Sequence, residues 1–289
     1  MKSRIKSLAM VALCGLLSAA AVQAQQTEIS VAEQQDLMHA LNEGNTSPVD
    51  LTRALEAHLN KYPNTPQRLE VERALAKAAV ESNDIARIAK YGESVAASSA
   101  EDVLLLDRLA YSFLMLGGEA NAAKAYKYAR AFEDLVDAMP VATGRDATRR
   151  QDEQERAASR SLLYQSRART IQHDDEDALR LAVRAFSAYP GEETAREWAE
   201  VLLRLGRQAE GIDHLAEAFV IPDPFATDDV RQGDRQLLGE VYGKLHGSEK
   251  GMGDTILAAY DRTSTVVATR RQKLLALDPN SSLANPLEF

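Results

Sequence analysis

The sequence predicts an all-α protein, an α-solenoid of antiparallel helix hairpins, on three observations. Ala and Leu predominate while aromatic residues are only 6% of the 289, a composition that favours helix over sheet. The nine prolines and fifteen glycines fall mostly between apolar-periodic runs rather than inside them. Small residues recur at fixed offsets: Ala110 to Ala122 is 12 residues and Ala122 to Ala129 is 7, and Ala199, Gly211 and Ala218 repeat those offsets. An apolar fraction of 45% and a charged fraction of 27% are those of a globular chain.

The elements follow in order. Lys2, Arg4 and Lys6 precede an almost continuously apolar stretch from Leu8 to Val22, and Val22-Gln23-Ala24 ends it in the small-residue pattern of a cleaved export signal. The run is too short, and too soon followed by Gln25-Gln26, for a membrane span. Cys14 raises a lipoprotein signal as an alternative, but bulky Leu13 precedes it and the cleavage pattern lies ten residues further on. The expected divisions are a signal peptide at 1–24, a helical repeat domain at 25–278 and a linker or tail at 279–289. The expected location is the bacterial periplasm or beyond. Cleavage moves the net charge from −9 to −12 and removes the only cysteine, so the mature chain has no disulfide and no thiol nucleophile. That acidic balance argues against a nucleic-acid partner.

Apolar periodicity places helices at 28–43, 48–61, 66–81, 84–98, 101–116, 119–139, 146–172, 175–189, 193–205, 208–220, 229–246 and 249–277. In Glu192 to Pro224, Trp198, Ala199 and Leu202 share one helical face, Leu205-Gly206 closes the helix, and Gly211, Leu215, Ala218 and Phe219 form the facing stripe. Ala178, Ala182 and Ala185, stopped by Pro190, give a partial copy, and Ala74, Ala86 and Tyr91 a weaker one. This pattern resembles the tetratricopeptide repeat, a helix–turn–helix unit of about 34 residues. An irregular helical bundle is the competing reading. The piece from Met139 to His173 is longer than one repeat needs and interrupts the array. Its Arg149, Arg156, Arg160 and Arg167 fall on one helical face among Asp152, Glu153 and Glu155, which reads as a solvated face.

A search for chemistry returns no catalytic, cofactor-binding or metal-ligating set. His39, His58, His173, His214 and His246 are never paired at i, i+4, and none neighbours a serine nucleophile. The acids after His173 read as a helix cap, because carboxylates are favoured beside the free N–H groups of a first turn. Gly239 to Asp254 is glycine-rich, but Gly239 and Gly243 lack phosphate-loop spacing; Ser248 is the expected cap of the last helix and Gly247 the break before it. Tyr62, Tyr111, Tyr126, Tyr128 and Trp198 sit at core spacing.

The resemblance implies a non-catalytic scaffold with a protein or peptide partner, held on the face lined by the first helix of each hairpin. The residues it implies for that face include Arg108, Ser112, Arg196 and Arg204. At the other end, Pro286-Leu287-Glu288-Phe289 after a polar connector resembles the beginning of a thioredoxin-like domain of the TlpA-like thiol-disulfide reductase type. That resemblance implies a second reading, in which the helices are the arm of such an enzyme and its catalytic Cys-x-x-Cys lies beyond residue 289. A cell-envelope assembly factor is a third. Among these the sequence does not choose.

Overall fold

The computed structural model describes residues 29–43, 47–99 and 101–278. The signal segment at 1–24 and the tail at 279–289 therefore lie outside the described residues. The described residues form twelve α-helices and no strand: α1 (Val31–Glu43), α2 (Pro48–Lys61), α3 (Arg68–Glu81), α4 (Ile85–Ser98), α5 (Val103–Leu116), α6 (Glu119–Asp137), α7 (Ala147–Ile171), α8 (Asp175–Ala188), α9 (Glu192–Arg204), α10 (Gln208–Val220), α11 (Asp228–His246) and α12 (Met252–Leu275). Through α11 each helix packs on the next in the chain, as a stack of antiparallel hairpins requires. The predicted spans agree with these within three residues.

Caps explain most of the ends. Ser47, Asp84, Asp102, Asp174 and Thr227 each accept a backbone N–H of their helix's first turn. The run after His173 is thus a cap, as expected: Asp174 Oδ1 accepts the Asp177 N–H, and Asp177 also pairs with Arg169 at 2.9 Å. Gly247 ends α11 at φ +77°, again as expected, whereas Ser248 does not cap α12. A turn at Lys250–Gly251 intervenes, and Gly251 at φ +92° takes the cap position. Asp146 stands at the start of α7 in the left-handed region, and its side chain makes no cap bond.

Hairpins close where small side chains meet. Ala110, Ala122, Ala129, Ala199 and Ala218 are fully buried. A Cβ on Gly211 would lie 2.7 Å from Leu203 Cδ2 and 3.3 Å from the Ala199 carbonyl oxygen, so this crossing admits hydrogen alone. Aromatic residues fill the larger gaps: Phe113 stacks on Tyr128 with centroids 5.7 Å apart, and Trp198 on His214 at 3.6 Å.

Two helices are longer than the rest, α7 with 25 residues and α12 with 24. The first half of α7 extends past the end of its partner α8, and α12 runs along α10 before reaching α7. There Thr148 donates to the Leu274 carbonyl, and Arg270 bridges Asp152 and Glu155 with its guanidinium 4.1 Å from the Tyr189 ring centroid. The end of the array is thereby tied back to its middle.

Glycine substitutions separate close approach from mere helix propensity. Gly211→Val should lower stability by about 2–3 kcal/mol through overpacking. Gly233→Ala, in α11 with open space around the new methyl, should raise it by up to about 1 kcal/mol. Urea midpoints of the two variants measure both.

Candidate peptide-binding groove

The odd-numbered helices form one layer in which α5 packs on α7 and α7 on α9, contacts that even-numbered helices make only between α10 and α12. Closer approach marks the odd layer as the inner side of the stack. Its seams are stitched by ion pairs between successive odd helices. Arg160 of α7 donates Nε to Asp107 of α5 at 3.0 Å. Arg167 of α7 meets Glu193 and Glu197 of α9 at 2.9 and 3.2 Å, and Ser166 donates to the same Glu197. Arg196 of α9 meets Asp234 of α11 at 2.7 Å. Asp107, Glu197 and Asp234 are all buried. Burial pushes the Glu197 carboxyl above its ordinary range despite its two donors.

The expectation that the α7 arginines form a solvated face holds in part, since Arg149 and Arg160 are exposed. Arg156, however, pairs with Asp152, while Arg160 and Arg167 reach across to neighbouring helices. The even layer carries its own rungs. Glu56 of α2 takes Arg87 and the Tyr91 hydroxyl of α4; 37 residues on, Glu93 of α4 takes Lys124 and the Tyr128 hydroxyl of α6. Sequence reasoning missed these rungs, although the recurring Glu-to-Tyr separation of 35 was a signal for them.

The α3–α5 seam has no such rung. Between α3 and α5 lies a groove of about 560 Å³ with Ala74, Ala76, Val95 and Leu105 in its walls and Leu104, 54% exposed, on its bank. The same 37-residue step explains the gap. Tyr111 and Asp107 of α5 face α7, where Tyr111 meets Tyr164 at 6.2 Å and Asp107 meets Arg160. The residues 37 earlier are Ala74 and Glu70, and both line the groove. Alanine replaces the filling ring, and Glu70 takes part in no ion pair or hydrogen bond among the described residues. Arg73 and Lys77, one turn apart on the same wall, are likewise without partners there. The space is apolar inside and carries charge of both signs at its rim. A recess of about 610 Å³ between Glu56, Arg68, Glu72, Lys90 and Tyr91 is larger, but its polar groups largely satisfy one another and leave little for a ligand.

The four residues assigned to a binding face from the sequence divide. Arg108, one turn after Leu104 on α5, is half-buried and does not line the groove; its buried Nε has no hydrogen-bond partner among the described residues. Ser112 is 0% exposed and belongs to no surface, because α6 and α7 pack over the second half of α5. Arg196 is committed to Glu192 and Asp234, and Arg204 to Asp175 at 2.8 Å. No group of three His, Cys, Asp or Glu side chains among the described residues is placed to hold a metal ion. No described helix is long and apolar enough to cross a membrane.

No family model and no curated protein matches the chain. Solved structures do. A thermophilic tetratricopeptide repeat protein of Thermus thermophilus aligns over 71% of this chain and 98% of its own, at 16% identity and a TM-score of 0.39. A tetratricopeptide repeat protein from Parabacteroides merdae aligns over 80% and 99%, at 11% identity and a TM-score of 0.30.

Burial decides how much each rung is worth. Glu133 of α6 is buried and accepts from Arg130, Gln165 and Arg184, so Glu133→Ala should cost about 2 kcal/mol, chiefly by leaving the buried Gln165 amide short of an acceptor while the two half-exposed arginines turn to water. Glu93→Ala, a half-exposed rung, should cost about 1 kcal/mol or less. Equal losses in chemical denaturation would contradict this ranking.

Proposed function

We propose that the chain is an exported, tetratricopeptide-repeat-like scaffold that binds a partner protein or peptide through the groove between α3 and α5. The observation that carries the reading is the open seam: an apolar-walled space left by Ala74, with Glu70, Arg73 and Lys77 unpaired at its edge. At the next seam, α5–α7, the chain fills this position itself, with the ring of Tyr111 and the Asp107–Arg160 pair. A partner supplies the same two things, a bulky apolar side chain and charges to meet the rim. Apolar pockets ringed by a few convergent polar groups are where binding energy concentrates.

Export rests on Lys2, Arg4 and Lys6 ahead of the apolar stretch ending at Ala24, and places the scaffold in the periplasm or outside the cell. A protein partner rather than a nucleic acid follows from the mature charge of −12, since phosphate backbones are held by basic surfaces. On this reading the protein works by holding another in place.

A photo-crosslinking residue at Leu104, expressed in the native host, tests the groove directly. It should trap a discrete partner, and the same residue at exposed Ala97 of α4 should not. Adding Leu104→Asn to a version crosslinked from the Lys77 position should weaken capture about tenfold while leaving the melting temperature within about 2 °C. Equal trapping from Leu104 and Ala97 would sink the assignment.

A further inference from the structure

Two carboxylates and one guanidinium meet where α9 and α11 come together. Arg196 Nη2 lies 2.7 Å from Glu192 Oε1 and 2.7 Å from Asp234 Oδ1, and also donates to the Val230 carbonyl. Both acids are buried, Asp234 to 1% exposure. Of the neighbouring charges, Arg231 also pulls on the Asp234 carboxyl, and Asp223 stands beside Glu192 at the start of α9. Asp223 accepts the backbone N–H groups of Glu192 and Phe225. Arg231 donates to the carbonyls of Phe219 and Asp223, Glu193 and Glu197 are held by Arg167, and Arg235 pairs with Glu249. Fully ionised, Glu192, Asp223 and Asp234 would hold three negative charges against the two positive charges of Arg196 and Arg231. A buried unpaired charge costs several kcal/mol, and a carboxylate avoids that cost by taking up a proton.

We propose that Glu192, Arg196 and Asp234 form a proton-operated joint: one proton shared by the two carboxylates locks α11 onto α9, and its loss loosens α11. Burial raises both carboxyls, and for Glu192 it outweighs the pull of Arg196 and lifts the group to about 7. The sign follows from that direction. The closed joint binds more protons than the open one, so the stabilisation is full below the ordinary carboxylate range and falls as pH rises through about 7. Separation of α11 would uncover the core that Leu238 and Tyr242 share with Met252 and Ala259, while α12 itself stays packed on α10 and tied to α7.

Amide hydrogen exchange along α11, corrected for intrinsic rates, measures the opening at pH 6 and pH 8 in the mature chain. The expected result is about tenfold more opening at pH 8, with the amides of α3 as an internal reference that does not move. Asp234→Asn, which leaves Glu192 and Arg196 one to one, should abolish the difference; Glu192→Gln serves the same purpose if that variant folds poorly. Equal opening of the wild-type chain at the two pH values would overturn the proposal. So would a tenfold difference that persists in Asp234→Asn.

Discussion

A helical hairpin cannot bury both of its faces alone, and the way this chain joins each hairpin to the next constrains everything else. The joint is a carboxylate removed from water and met by an arginine of the neighbouring odd helix: Asp107 by Arg160, Glu197 by Arg167, Asp234 by Arg196. Such a rung adds little net stability, because desolvation offsets the attraction. Its leverage lies in the cost of any other register, which would leave the same acids buried and unmet. Apolar packing between Ala-rich helices tolerates sliding, whereas a buried carboxylate does not.

From that constraint the two unusual places in the molecule follow. Where a rung has one acid too many, at Glu192 and Asp234 beside Arg196, the surplus charge makes the contact sensitive to protons. Where the rung is missing, at Glu70, the seam stays open, and the replacement of a ring by Ala74 leaves an apolar space. From α5 onward the inner layer is closed by its own side chains, with Ser112 buried and Arg196 and Arg204 held in pairs. A binding surface in a repeat array is thus defined as much by what fails to close as by which residues line it.

The helices were legible in the sequence because their evidence is local. Apolar spacing, the stops at Leu205-Gly206 and Pro190, and the paired small residues Ala199 and Gly211 all lie within one hairpin. The Gly211 crossing shows why the offset matters: Leu203 and the Ala199 carbonyl leave no room for a side chain. The rungs were not legible, because Arg196 and its partner Asp234 belong to different hairpins, and charge at helical spacing looks the same whether it meets water or a neighbour. That is why Arg167 read as part of a solvated face. Ser112 was misplaced for a related reason, since its helix alone does not show that α6 and α7 pack over it. The open seam had a signal that went unread, Ala74 standing 37 residues before Tyr111.

The most direct test of the account is the thermal stability of Ala74→Tyr. If the α3–α5 seam is the unfilled counterpart of the α5–α7 seam, the new ring enters existing space. The melting temperature should then hold or rise by a few degrees, since burying an aromatic side chain stabilises when no neighbour must move. If the seam is already packed, the ring must displace its neighbours, and a loss of about 1–3 kcal/mol, with the matching fall in melting temperature, would contradict the account.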